Sequence, residues 1–391
     1  MTKNILIVTY YFYPEISPRA FRTTELVKEL ARRGHNIDLL IPDNDFDYSD
    51  FINCFSINIK KVKSGIFLNK KNSFNNSLTK NISLNSKRNS FLKIKNLLRE
   101  VYKNLLKFVY IGGTTFEYGF LLAHKIISLK KHYDICVSIG LPINIHAAVF
   151  YSSFFDNNIA KIKVADYGDP FYYNDLTPKI FYYRLFEKSI LKRFNYISVP
   201  TKKAVSSYLD YKSKNKIKVI PQGFNLNDIK IGSYIKHNIP TFCYAGSFYK
   251  KLRNPVNFFD FLIKFDKPFN FIIYTDLNNL ENYKVLKDLL NKSSNIIIKN
   301  IVDRKDCIYE LSKMDFLINI KNSSENQSPS KTIDYLLAKR PIFNLSQNHF
   351  DKKKFLKYYN ANYEDFNQME KNKILSNFDI KNIADKFLSL I

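Results

Sequence analysis

Two successive series of short apolar runs, alternating with amphipathic stretches, narrow the folds open to this chain more than any other feature. In the first series residues 4–8 read as a strand and 10–18 as a loop with two prolines. Residues 18–33 read as a helix with Leu26, Val27, Leu30 and Ala31 on one face, stopped at Gly34 before a second strand at 36–41. Strands are expected again at 135–139, 162–165, 196–200 and 216–220. The second series places them at 242–245, 269–274, 296–298, 316–320 and 341–344. Strands separated by helices build parallel sheets, and two such series predict two Rossmann-like, doubly wound α/β domains facing a cleft. The expected boundaries are 1–226 for the first domain, 227–237 for a joint and 238–377 for the second, with the C-terminal helix 378–391 a candidate to pack back on the first. A chain of 391 residues is long enough for two cores of ordinary size.

The charge is unevenly spread. Between Lys60 and Lys107 stand thirteen Lys and Arg against one acid, Glu100, so this eighth of the chain carries nearly half of the net +26. Residues 64–90 are rich in Asn, Ser and Lys and read as a loop. In 91–108, Phe91, Ile94, Leu98, Val101, Leu105 and Phe108 recur at helical spacing among lysines. A basic amphipathic helix of this kind fits an anionic membrane surface, or packs its apolar face on its own domain with the lysines in water.

The four cysteines lie far apart with no Cys-x-x-Cys spacing, as expected of reduced thiols. The opening residues read as a first strand rather than a signal peptide. Residues 135–155 are twenty-one without a charge, but Gly140, Pro142 and Asn144 break them into strand, turn and helix rather than a membrane span. The six histidines show no metal-ligand spacing, and Asp43-Asn44-Asp45 reads as a loop.

The window 328–343, SPSKTIDYLLAKRPIF, is the densest in chemistry. Ser328 and Pro329 suit a helix start, and Ser330, Lys331 and Thr332 stand where free N–H groups and the helix dipole favour an anion. Asp334 lies one turn on, where a carboxylate can accept hydrogen bonds from sugar hydroxyls. Phosphate at the helix start and hydroxyls one turn later match the shape of a nucleotide-sugar. An ordinary capped helix before a strand fits the same window.

Several motifs in order then carry a resemblance. They are the helix ending at Gly34-His35, Ala165-Asp166-Tyr167-Gly168-Asp169-Pro170, Val199-Pro200-Thr201, Ile220-Pro221-Gln222-Gly223, Tyr244-Ala245-Gly246-Ser247, Met314-Asp315 and the window above. Over almost its full length the chain resembles a family 4 glycosyltransferase of the GT-B fold. The resemblance implies transfer of a sugar from a nucleotide-sugar with retention at the anomeric carbon. The donor would be held by the second domain, the acceptor by the first, and the diphosphate by basic side chains without a metal or other cofactor.

Carried over residue by residue, the likeness puts Arg253 where the family has a diphosphate-binding lysine and Ser247 where it has an arginine, with Lys250, Lys251 or Lys331 as substitutes. Asp334 falls on the second of the family's paired glutamates, at the ribose. Asn326, with Glu325 beside it, falls on the first. In the first domain Asp169 stands where relatives carry an acid or histidine at the reacting sugar, and Asp166 reads as a turn cap. Arg19 and Arg22, in the first turn of a helix, and His146, at a strand end, are candidates for the acceptor side. Surface exposure accounts equally for the arginines, and a lone histidine is more often a packed one.

The expectation is a cytoplasmic enzyme, peripheral to the membrane through 60–108. It would act on a lipid-linked or oligosaccharide acceptor in capsule, O-antigen or lipopolysaccharide assembly. A nucleotide-sugar epimerase on the same fold and a nucleic-acid-binding protein using the basic segment are the rival readings, and nucleic acid is not the expected partner.

Overall fold

A computed structural model of the chain describes residues 1–65, 110–111, 114–174, 177, 179–248, 255–278, 284–290, 293–321, 331–345, 350–363, 366–367 and 374–391. The basic helix expected at 91–108 lies outside the described residues, as does nearly all of the loop before it.

The chain divides into two units: Met1–Pro221 with Ile383–Ile391, and Gln222–Asn382. Unit 1 runs β1 (Asn4–Thr9), α1 (Pro18–Arg32), β2 (Asn36–Pro42), α2 (Ser49–Phe55), β3 (Asn58–Val62), a short hairpin of β4 (Tyr110–Ile111) and β5 (Thr114–Thr115), and α3 (Phe116–Ser128). It continues with β6 (Tyr133–Gly140), α4 (Ile143–Phe155), β7 (Ala160–Tyr167), α5 (Tyr183–Leu191), β8 (Tyr196–Val199) and β9 (Ile217–Val219). Its seven-stranded parallel sheet has the order β3-β2-β1-β6-β7-β8-β9. β1 is buried from Ile5 to Thr9, as a strand covered on both faces must be. Ile5 lies in register with both Ile37 and Ile135.

Helix α1 starts where the sequence dictates. Pro18 opens it, and the Ser17 hydroxyl accepts the Ala20 N–H at 3.2 Å. Right-handed crossovers send α1 to one face of the sheet and α4 and α5 to the other, where α3 lies along α4. The uncharged run 135–155 becomes β6, a turn and α4. The inner helix α4 is buried from Ile143 to Val149, so it needs no polar face. Among the described residues no helix is long and apolar enough to cross a membrane.

Strand β3 goes beyond the strands expected from the sequence. Its run Asn-Ile-Lys-Lys-Val buries only Val62, which suits an edge strand whose lysines face water.

Unit 2 comprises β10 (Thr241–Ala245), α6 (Val256–Ile263), β11 (Asn270–Tyr274), α7 (Lys284–Leu290), β12 (Ile296–Lys299), α8 (Arg304–Ser312), β13 (Phe316–Ile320), α9 (Lys331–Leu337), β14 (Ile342–Leu345) and α10 (Lys352–Tyr359). Its five-stranded parallel sheet has the order β12-β11-β10-β13-β14. Helix α11 (Ile380–Leu388) closes the chain and crosses from unit 2 into unit 1. Within unit 1, Asp385 pairs with Arg33 at 2.5 Å and the Phe387 ring lies 5.9 Å from the Arg22 guanidinium.

The stretch read as a joint is hydrogen-bonded to unit 2. Gly232 N–H reaches Ser312 Oγ at 2.8 Å, and Asp315 Oδ1 accepts the Tyr234 hydroxyl at 2.8 Å. Arg340 stacks on the Tyr234 ring at 3.4 Å and donates to the Met314 carbonyl at 2.6 Å. The motifs Met314-Asp315 and Arg340-Pro341 therefore have a structural role, fastening 232–241 to the end of α8.

The core of unit 2 is built from phenylalanine. Phe242 stacks on Phe316 with centroids 4.8 Å apart and on Phe271 at 4.7 Å, with Phe355 edge-on at 5.8 Å. Phe242→Ala is expected to cost about 3–5 kcal/mol by opening a cavity there, read as a lowered urea midpoint. Ile235→Ala, at a side chain 78% exposed, is expected to change it by less than about 0.5 kcal/mol.

Candidate functional site

In a doubly wound sheet the ligand position is the crevice where the strand order reverses. In unit 1 that point lies between β1 and β6, and in unit 2 between β10 and β13.

At the carboxyl ends of β6 and β7 in unit 1, Arg19 reaches across from the first turn of α1. One guanidinium nitrogen donates to the Gly140 carbonyl, and another holds Asp169 Oδ2 at 2.9 Å. A Cβ on Gly168 would collide with this guanidinium, so glycine there lets Arg19 pass over the strand end. The Asp169 side chain is 39% exposed while Arg19 is mostly covered. The result is a carboxylate fixed in orientation yet open to solvent, which is what accepting a proton or hydrogen bond from an incoming hydroxyl requires.

Directly behind lies a second ion pair, fully enclosed. Arg22 grips Asp166 through Nε at 2.5 Å and Nη2 at 2.6 Å. It also donates to the carbonyls of Pro221 at 2.9 Å and Ile220 at 3.1 Å, and the Ser198 hydroxyl donates to Asp166 Oδ1. Four of its five N–H groups are thus spent inside the protein. The sequence makes Arg22 a candidate for the acceptor side. Its burial instead makes it a brace joining α1 to β7, β8 and the last residues before unit 2. Asp166, read as a turn cap, is the other half of that brace.

His146 is buried as well. It projects from α4 into the interior with no exposed surface, its Nδ1 2.6 Å from Ser138 Oγ. Its Nε2 has no hydrogen-bond partner among the described residues and faces the spot a Cβ on Gly140 would occupy. Burial pushes its pKa down to about 3, with Arg19 adding to the shift and Asp166 opposing it. His146 supports the strand end from below rather than meeting a ligand there.

Glu187 escapes the sequence reading. It is buried on α5, accepts the Tyr172 backbone N–H at 3.2 Å, and so anchors the loop that carries Asp169. The Tyr167 and Tyr211 hydroxyls lie beside it and favour its charged form, without full hydrogen-bond geometry. Burial outweighs them and pushes its pKa up to about 7. A signal exists, since Tyr183, Glu187, Ile190 and Leu191 share the buried side of α5 and an acid on that side is conspicuous.

In unit 2, β10 is followed by Gly246, whose φ of +137° favours glycine. Ser247 follows, half-buried, its carbonyl accepting the Tyr244 hydroxyl at 3.0 Å. The Tyr335 hydroxyl on α9 accepts the Ala245 N–H at 2.9 Å, tying that helix to the end of β10. Asp334, one residue earlier, takes Arg304 on Oδ1 from Nε at 2.7 Å and Nη2 at 2.5 Å. Arg304 also lies 3.8 Å over the Phe224 ring. One oxygen of the expected ribose ligand is therefore engaged by an arginine that no sequence spacing points to. Lys331 and Thr332 fall in the first turn of α9, and their side chains lie outside the described residues. Lys250, Arg253, Glu325, Asn326 and Ser330 lie outside them as well.

No protein-family model matches the chain, and no curated protein matches it at a significant level. Solved structures do. A glycosyltransferase from Rickettsia africae is similar over 100% of this chain and 97% of its own, at 14% identity and a TM-score of 0.63. The lipopolysaccharide outer core galactosyltransferase WaaB in its apo form covers 99% and 100%, at 9% identity and a TM-score of 0.62. HepE of Anabaena, solved in complex with UDP-glucose, covers 100% of both chains at 10% identity and a TM-score of 0.61. At these identities the likeness defines the fold: two Rossmann-like α/β units of the GT-B type.

The two ion pairs of unit 1 are expected to respond differently to mutation. Asp166→Asn strands a buried guanidinium and should cost about 3–5 kcal/mol in urea unfolding, whereas Arg19→Ala, at a half-open pair, should cost about 1 kcal/mol or less.

The buried Glu187 and His146 should shape stability against pH. The folded pKa of Glu187 is raised above its ordinary value of 4.5, so its contribution is full below that value and is lost as pH rises through about 7. That of His146 is depressed, so its contribution is full above 6.5 and is lost as pH falls toward 3. Urea midpoints compared at about pH 5 and 8 should show Glu187→Gln gaining on the parent as pH rises. His146→Gln should gain on it as pH falls from about 6.5 to 4.

Proposed function

We propose that this protein is a retaining glycosyltransferase of the family 4 type. In this reading it moves a sugar from a nucleotide-sugar to a lipid-linked or oligosaccharide acceptor in the assembly of a surface polysaccharide. The observation that carries the reading is the half-open Arg19–Asp169 pair standing at the ligand position of a GT-B sheet. Asp169 accepts the hydrogen bond of the acceptor hydroxyl, and Arg19 keeps that carboxylate aimed. HepE, which shares the fold and whose known structures include UDP-glucose, or UDP with glucose, supports a nucleotide-sugar as the donor. The lipopolysaccharide galactosyltransferase WaaB, of the same fold, supports a glycan acceptor.

On the donor side the reading assigns Asp334 to the ribose, beside its bond to Arg304. Arg253 and Lys331, with Ser247, Lys250, Ser330 and Thr332 around them, are assigned to the diphosphate. There they would stabilise the charge that grows on the leaving nucleotide. Glu325 and Asn326 are assigned to the donor sugar. Basic side chains carry the diphosphate in this scheme without a metal. The enzyme works in the cytoplasm at the membrane face, where residues 60–108 add their positive charge.

A thermal-shift screen against a panel of nucleotide-sugars tests the reading first, with a raised Tm expected for at least one; a shift for none would sink it. With the donor so found, Asp169→Asn should lower kcat by about 10²–10⁴-fold at an unchanged melting temperature. Retained turnover would remove Asp169 from the chemistry. Excess EDTA should leave turnover unchanged, and a loss reversed by magnesium or manganese would overturn the metal-free part.

A further inference from the structure

The outer surface of the α3–α4–α5 layer is apolar where a soluble helix layer is ordinarily polar. Phe155, at the end of α4, is 80% exposed, and Phe181, just before α5, is 84% exposed. Phe154, Phe120 and Leu185 are each more than half exposed. Phe120 and Phe154 belong to one ring cluster. Phe120 stacks on Tyr151 at 4.5 Å, Phe150 bridges Tyr151 at 5.6 Å and Phe154 at 4.8 Å, and Phe116 meets Phe186 at 5.4 Å. On α4 the patch is confined to the last turns, residues 150–155, a length of about 9 Å, because Ile143–Val149 are buried. Exposed aromatic side chains gathered on one helix layer mark a surface that something else covers.

Charge says what covers it. Residues 116–128, 143–156 and 181–193 hold three carboxylates: Glu117, half-buried in the first turn of α3, Asp156, half-buried beside Phe155, and Glu187, buried facing inward. Lys188, Lys192 and Arg193 are exposed at the rim, with Arg193 lying 4.9 Å over the Phe154 ring. Arg184 also lies there, paired with Asp210 at 2.7 Å. Bulky rings in the middle and cations around them, with no fully exposed acid on these helices, are complementary to a sheet of anionic headgroups over hydrocarbon. Rings insert into the acyl boundary while lysine and arginine stay at phosphate depth.

We propose that this helix layer is an interfacial docking surface for an anionic lipid bilayer. It deepens the functional reading, and rests on it in one respect: a lipid-linked acceptor lies in the same bilayer. Phe181 belongs to the segment that leads from Asp169 into α5, so docking would bring that strand end close to the lipid surface.

The chain has no tryptophan, so an introduced one reports alone. Full-length Phe155→Trp, Phe181→Trp and, as a control in unit 2, Ile235→Trp are mixed with vesicles of phosphatidylglycerol and phosphatidylcholine or of phosphatidylcholine alone. The expected result is a blue shift, with quenching by brominated lipid, for the first two on the anionic vesicles only. The control should keep the emission it has in buffer. A Phe155→Ser, Leu185→Ser double variant should bind these vesicles at least about ten-fold more weakly, with its turnover of a water-soluble acceptor unchanged.

Vesicles that bind the protein without shifting the emission of the Phe155→Trp and Phe181→Trp variants would overturn the proposal and place the contact elsewhere. Absence of binding at low salt would overturn it too. So would a blue shift that grows with protein concentration in the absence of lipid, since it would mean that a second copy covers the patch. Failure of the enzymatic reading shows separately, as absent turnover of any nucleotide-sugar with the soluble acceptor, whatever the emission does.

Discussion

The Arg22–Asp166 ion pair is the constraint on which unit 1 depends. A guanidinium and a carboxylate taken fully out of water cost several kcal/mol each, and that is offset only when geometry and remaining hydrogen bonds are complete. Here they nearly are, since Ser198 and two backbone carbonyls satisfy most of what the pair leaves over. The carbonyls belong to Ile220 and Pro221, the last residues before unit 2 begins. The charges that fix α1 against β7 and β8 therefore also fix where the chain leaves the sheet. Arg19 stands just under one helical turn before Arg22, so the same anchoring sets the angle at which it meets Asp169.

Much of this is legible in the residues, and for identifiable reasons. Strands covered on both faces are continuous apolar runs, so Ile5–Val8 and Phe242–Ala245 announce themselves. Ser17-Pro18 is a local signal, and the helix begins where it says. Edge strand β3 is hidden because its lysines alternate with too few apolar residues to stand out from the basic stretch that follows.

The site is legible in kind but not in partnership. Arg19, Arg22, Asp166 and Asp169 all stand out in the sequence, yet which arginine takes which acid depends on depth below the strand ends, and periodicity does not encode depth. Arg304 stacks on Phe224 and reaches Asp334 thirty residues away in sequence. No spacing rule joins those three. Glycines are the more informative signal: Gly168 beside Asp169 and Gly140 at the end of β6 mark the two places where a side chain must be absent for Arg19 and His146 to approach the backbone.

Unit 1 is discontinuous, and that bears on the order in which the protein acquires its shape during translation. The last nine residues it needs, Ile383–Ile391, emerge only after the whole of Gln222–Asn382 has been made. At ordinary ribosome speeds that interval lasts roughly ten to thirty seconds. Throughout it, the flank of α1 that will receive Phe387 and Asp385 waits uncovered. The nascent first half must therefore wait as a nearly finished domain missing one helix, and the segment made after unit 2 is what completes it.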